Sequence, residues 1–191
     1  MAEIIKEFRK NTQCIIIKFR LAIKEDLEDI WISFNEVVRE KKYIPVKTEV
    51  LTDFEKNSWF ANHEMEKNVV VVASDITQNK KRGIVIGQCV IEHLTWEAAE
   101  HVGELGIIIN SKYRNIGIGR EILKYAINEA KNRDFKKIIL AVFHTNKGAI
   151  HLYESLGFKK IGIRKNQYFL ENVYYHEVLM DYFLAEKESG M

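Results

Sequence analysis

A single proline, Pro45, in 191 residues, with no Gly/Ser-rich or low-complexity tract, leaves nothing to read as a linker. One domain over 1–191 is expected, with its core at about 14–184, an N-terminal extension at 1–13 and a flexible tail at 185–191. Cysteine is nearly as scarce. Cys14 and Cys89 are too far apart in the chain to suggest a disulfide framework or a metal pair, and each sits in an apolar run that reads as core. The six histidines are scattered without a ligand spacing, so no metal is expected. No run approaches the roughly 18 uncharged apolar residues of a membrane span, and Met1 to Lys10 is too charged for a secretory leader. A cytoplasmic protein without a membrane partner follows as the expectation. No repeat of solenoid length is visible. Charge of one sign is also missing, since 29 basic residues stand against 27 acidic ones. That balance argues against a nucleic-acid partner, although residues 111–137 hold eight basic and three acidic side chains and mark a local anion site.

What is present is a hydrophobic fraction of 47%, enough to build a core. Short β-branched runs predict strands at Cys14–Ile23, Val69–Ala73, Ile84–Ile91, Leu105–Ile109, Ile138–Phe143, Phe158–Ile163 and Val173–Met180. Leu27, Ile30, Trp31, Phe34, Val37 and Val38 recur at helical steps, as do Ile118, Ile122, Leu123, Ala126, Ile127 and Ala130. Two further helices are expected over Phe54–Met65 and Asn146–Leu156, and a hairpin turn over Gln78–Gly83. The order β-α-α-β-β-β-α-β-α-β-β, antiparallel strands followed by a β-α-β-α-β unit, predicts a mixed-sheet α/β domain with helices on its faces.

The chemistry-bearing stretch runs from Leu105 to Leu123: a strand, a short basic loop, two glycines one residue apart, then a helix. The first N–H groups of a helix lack partners, glycine permits close backbone approach, and the helix dipole adds positive charge, so this stretch fits a pyrophosphate. Arg114 and Arg120 would add full charges. A Walker A loop is excluded because no Gly-Lys-Ser/Thr follows, and the three-glycine dinucleotide spacing is lacking.

Arg114-x-x-Gly117-x-Gly119 resembles the Arg/Gln-x-x-Gly-x-Gly/Ala signature of the GNAT superfamily of acyl-CoA-dependent N-acyltransferases. Asn146-x-x-Ala149-x-x-Leu152-Tyr153-x-x-x-Gly157-Phe158 resembles that family's second cofactor segment, and the likeness covers residues 103–163 closely. The resemblance implies a GNAT-like fold and an acetyltransferase that uses acetyl-CoA as donor. It further implies that Ile107, Ile108 and Ile109 pair by their backbone with the pantetheine arm, as an added strand does at a sheet edge. Arg114, Asn115, Ile116, Gly117, Ile118 and Gly119 match the pyrophosphate loop, and Arg120 continues the first helical turn. Asn146 matches an amide that hydrogen-bonds the cofactor, and Tyr153 the phenol that protonates the departing thiolate. Each has a plainer alternative: Asn146 as a helix cap, Tyr153 as a core aromatic, Arg120 as a solvated arginine.

An amine acceptor arrives mostly as ammonium, so a base is required. Glu104, on the strand entering the loop, is the first candidate through the resemblance; His101 and Glu92 follow. The acceptor would be a small amine or amino acid, or a protein N-terminus or lysine, recognised by Trp31 to Pro45 and Gln167 to Glu177, where Tyr168, Tyr174 and Tyr175 either line a pocket or serve as sheet-face aromatics. Since no cysteine lies in the matched segments, direct transfer in a ternary complex is expected. The resemblance admits a homodimer. Two other readings stay open here: a non-catalytic acyl-CoA-binding or sensor module, and a nucleic-acid-binding protein using residues 111–137.

Overall fold

Val69–Asp75 reads Val-Val-Val-Val-Ala-Ser-Asp, and its first six residues are all buried. Such a strand can lie only in the middle of a sheet covered on both faces. In the computed structural model, which describes residues 3–65, 68–78 and 82–184, it is β3 of an eight-stranded sheet. In chain order the elements are β1 (Ile4–Lys10), β2 (Gln13–Leu21), α1 (Leu27–Arg39), α2 (Asp53–Met65), β3, β4 (Ile84–His93) and β5 (Val102–Ile109). Then come α3 (Ile118–Asn132), β6 (Lys137–Phe143), α4 (Lys147–Ser155), β7 (Lys159–Leu170) and β8 (Val173–Phe183). The expected mixed α/β architecture is present, with one more strand than the sequence reading allowed. Ile4–Lys10, taken as extension, pairs antiparallel with β2 from Ile4↔Phe19 to Lys10↔Gln13. Its alternation is weak because most of its side chains stay exposed, which is why no hydrophobic run marks it. Cys14, expected in the core, is exposed on this edge hairpin, whereas Cys89 is buried. The expected tail at 185–191 and the middle of the 78–83 turn lie outside the described residues.

The sheet order is β1-β2-β3-β4-β5-β6-β8-β7. α3 covers one face, burying Ile118, Ile122, Leu123, Ala126 and Ala130 completely. At about 1.5–3 kcal/mol for each fully buried large aliphatic side chain, this stripe is a major part of what holds the helix down. α1 and α2 cover the other face with Ile30, Trp31 and Phe60 against Val72 and Val85.

One feature of this topology makes the site. β5 and β6 are the sheet's parallel neighbours, and their pairing stops after Val102↔Lys137, Gly103↔Ile138 and Glu104↔Ile139. Beyond it β5 continues to Ile109, held by β4, and β6 continues to Phe143, held by β8. The two strands part, and the backbone edges that would have bonded each other face a gap.

Candidate active site

The gap opens into a cavity of about 610 Å³. Glu104 to Ile109 line one side and Ala141 to Phe143 the other; the glycine loop, α4 and the segment Tyr43, Ile44 and Pro45 complete the lining. Ile107 to Ile109 pair with β4 at Cys89, Gln88 and Gly87, which leaves their opposite edge toward the gap.

The glycine loop is built from several directions. Asn115 has φ 64° and Gly117 φ 97°, left-handed values that turn the chain into α3. The N–H groups of Arg120 and Glu121 return to the Gly117 carbonyl, so those of Ile118 and Gly119, at the very start of the helix, have no intrahelical acceptor. A Cβ on Gly119 would stand 3.2 Å from Leu152 Cδ2, so glycine lets α3 and α4 approach closely here. Phe8 of β1 lies beneath Gly117, where an added Cβ would meet its ring at 3.6 Å. The Tyr113 hydroxyl donates to Asp75 at 2.8 Å and fixes the loop to the sheet. Arg120 Nη2 donates to Ser155 Oγ at 2.7 Å, joining α3 to α4.

Arg114 lines the cavity, but its guanidinium is already engaged. Nε donates to the Ile109 carbonyl at 2.8 Å, and Nη1 and Nη2 donate to the two Glu40 oxygens at 2.7 and 2.5 Å. Tyr43 stacks 4.8 Å from its central carbon. The hydrogen bonds it donates to Glu40 raise its pKa further and hold the arginine charged. The segment after α1 is therefore tied to the glycine loop, and it is tied again where Asn35 brackets Val50, donating at 2.8 Å and accepting at 2.9 Å. Glu40 lies 74 positions from Arg114, and nothing in the sequence pattern could have paired them.

Asn146 caps α4, accepting from the Ala149 N–H at 3.2 Å through its side-chain oxygen. This leaves its amide hydrogens for the cavity it lines. Tyr153 is 6% exposed and also lines the cavity. Burial pushes its phenol well above its ordinary value, so it stays protonated. Cys89, fully buried, has its thiol pushed up by the same cause and is a poor nucleophile.

Glu104 is exposed and faces the cavity at the point where β5 and β6 part. His101 is exposed at the start of β5 and is absent from the cavity wall; its carbonyl accepts from Lys136 and Lys137. Glu92 stands opposite Glu104 on β4 and binds His63. Glu177, the last residue of the range expected to recognise the acceptor, and Phe143, which the sequence did not single out, complete this end. Glu177, 3% exposed on β8, accepts from the Tyr168 hydroxyl and from Arg164 at 2.8 Å. Phe143 packs against Tyr168 and Tyr175 at 5.2 and 5.0 Å. Burial and the Glu177 carboxylate raise the Tyr168 phenol to about 12. Alternation along β8 places Tyr175 and Glu177 on one face, a signal readable once the strand is paired. Tyr174 instead packs on Phe169 at the exposed hairpin end.

The arrangement presents an extended backbone edge, unpaired helix-start amides, a buried neutral phenol and a carboxylate around one cavity. Among the described residues no His/Cys/Asp/Glu cluster could hold a metal ion. No described helix is long and apolar enough to cross a membrane.

The acetyltransferase (GNAT) family model matches residues 25–158. The [ribosomal protein bS18]-alanine N-acetyltransferase of Escherichia coli is 35% identical over 94 residues, 49% of this chain and 58% of its own length, so the chain spans little more than half of that relative. A ribosomal-protein-alanine N-acetyltransferase of Brucella melitensis superposes with TM-score 0.79 at 26% identity, covering 87% of this chain and 99% of the other. A GNAT superfamily phosphinothricin acetyltransferase of Sinorhizobium meliloti, solved with AcCoA, gives TM-score 0.81 over 92% of each chain; at 22% identity it speaks for the fold.

Proposed function

We propose, from the premise that this chain belongs to the acetyltransferase (GNAT) family, that it is a cytoplasmic N-acetyltransferase carrying the acetyl group of acetyl-CoA to a primary amine by direct attack in a ternary complex. The observation that carries this reading is the parting of β5 and β6 after Glu104 and Ile139, with the glycine loop at one end and Glu104 at the other. The cavity fits the donor. Ile107 to Ile109 offer a free strand edge to an amide-bearing arm, and the loop from Asn115 leads to the helix-start amides of Ile118 and Gly119, which are left for a pyrophosphate. Asn146 keeps an amide for the same ligand. Arg114 contributes through the shape and charge of the loop, since its own donors are taken by Glu40 and Ile109.

When bound, acetyl-CoA supplies an activated acyl carbon whose sulfur departs with negative charge. Glu104 accepts the acceptor ammonium's proton, directly or through water, and frees the nitrogen lone pair. Tyr153 donates a hydrogen bond toward the leaving sulfur. A phenol held above its ordinary pKa of about 10 is a weaker acid than a thiol near 8.5, so it stabilises the developing thiolate by hydrogen bonding more than by complete transfer. The buried and protonated Cys89 argues against a covalent acyl-enzyme.

The acceptor end is acidic and aromatic, with Glu104, Glu177, Tyr168 and Phe143, which suits a cationic amine. Relatives named for a ribosomal-protein alanine and for phosphinothricin keep both a protein N-terminus and a small amine as acceptor classes. CoA release should be measured with acetyl-CoA and a panel of free amino acids, small amines, tetrapeptides with free N-termini and lysine peptides. Turnover with one class supports the reading. Binding of acetyl-CoA with no turnover in any class would replace it with the acyl-CoA-binding module.

A further inference from the structure

Glu104 faces a second carboxylate across the ladder. In the antiparallel β4/β5 pair Glu92 stands directly opposite it, so both side chains leave the same face of the sheet, with Cβ atoms about 4.5–5.5 Å apart. Two negative charges so placed disfavour each other's ionisation.

α2 supplies the answer. His63, 6% exposed, lies over this face with Nε2 2.6 Å from Glu92 Oε1 and Nδ1 2.6 Å from the Trp59 carbonyl. A carbonyl only accepts, so Nδ1 carries hydrogen. At 2.6 Å a bare Nε2 lone pair cannot face a bare carboxylate oxygen, so one further hydrogen lies between them. Whichever atom owns that hydrogen, the His63–Glu92 pair has no net charge. Trp59 packs on the imidazole with centroids 4.2 Å apart and holds the ring in this pose.

We infer that His63 is a positioning residue for the acyl transfer: by keeping a proton on the His63–Glu92 pair, it neutralises the carboxylate facing Glu104 and leaves Glu104 free to ionise and take the acceptor's proton. This rests on the reading of Glu104 as the base. The charged groups on the other neighbouring elements have hydrogen-bond or ion-pair partners of their own. From β8 and β7, Glu177 is bound by Arg164 and Tyr168. From β6 and β8, Lys137 pairs with Asp181. From α1, Glu36 binds Asn110, and Glu40, just beyond the helix, binds Arg114 at the far end of β5. Without His63, Glu92 would be the like charge on the neighbouring strand with no cation of its own.

The test is a carboxyl titration of the whole protein labelled with 13Cδ-glutamate, the Glu104 signal being assigned by its loss in Glu104→Gln. In His63→Gln the Glu104 titration should move up by about half a pH unit. In His63→Gln/Glu92→Gln it should return to the wild-type position, because the repelling charge is gone as well. An unmoved titration in His63→Gln, or a shift that persists in the double variant, overturns the inference. Should His63→Gln not fold, Glu92→Gln alone carries the test: an unmoved Glu104 titration means the charge was already cancelled, and a downward shift means it was not. The titration needs no acceptor. Failure of the base reading appears separately, as Glu104→Gln retaining wild-type turnover.

Discussion

Tyr153 and Arg114 occupy matching motif positions in the sequence, yet the structure gives them different work. Tyr153 meets the cavity as a buried, protonated phenol, so its removal should touch the chemical step alone. Tyr153→Phe should lower kcat about 10- to 100-fold while the dissociation constant of acetyl-CoA stays within a factor of two, as read by steady-state kinetics and calorimetry. Equal kcat in both proteins would remove Tyr153 from the chemistry. Arg114 is matched by Glu40, so its charge reaches a pyrophosphate only in part. Glu40→Gln leaves that charge uncompensated. A unit charge in water at about 4 Å is worth about 1 kcal/mol, so acetyl-CoA should bind up to about fivefold more tightly at low salt, with the gain fading as salt rises. Weaker binding in Glu40→Gln would mean that the pair matters for the loop's shape more than for its charge.

At the scale of elements, the loop and the helices flanking it were legible because glycine spacing and helical periodicity are local. Gly117 and Gly119 announce a helix start, and Ile118 to Ala130 announce its buried face. The acceptor end was legible only as two ranges, Trp31 to Pro45 and Gln167 to Glu177, because Phe143 of β6 and Glu177 of β8 are brought together only by the sheet order. β1 was missed for another reason: an edge strand with mostly exposed side chains carries no period to read. Yet β1 braces the cofactor loop. Phe8 lies under Gly117, Lys10 donates to the Lys112 carbonyl, and Lys6 pairs with Glu121 in the first turn of α3. Phe8→Ala should therefore cost roughly 1–2 kcal/mol in unfolding free energy, less than a fully buried phenylalanine, and should weaken acetyl-CoA binding several-fold. Denaturant unfolding and calorimetry would check both. A stability loss with unchanged affinity would mean that the hairpin supports the sheet but not the site.

Over the whole molecule, the positive segment 111–137 loses its separateness on folding. Arg114 goes to Glu40, Lys137 to Asp181 and Arg133 to the Asn68 carbonyl, so much of a basic run becomes a set of ties to other elements. Two phenols make similar ties. Tyr113 joins the glycine loop to β3 through Asp75, and Tyr168 joins β7 to β8 through Glu177. Burial, reinforced by the carboxylate each hydrogen-bonds, raises both to about 12, against an unfolded value near 10. The sign follows from proton counting. Between those values the folded chain holds protons that the unfolded chain has released, so the contribution is fully present below pH 10 and is lost as pH rises toward 12. Thermal unfolding midpoints should therefore fall through this window in the wild type. Lysine deprotonation acts in the same range, so the decisive quantity is the difference between proteins. Tyr113→Phe/Tyr168→Phe cannot ionise at either position, and its midpoint should fall less steeply above pH 10 while lying lower at pH 8, where two hydrogen bonds have been removed. Parallel curves for the two proteins from pH 9 to 12 would show that neither phenol is held neutral by the fold.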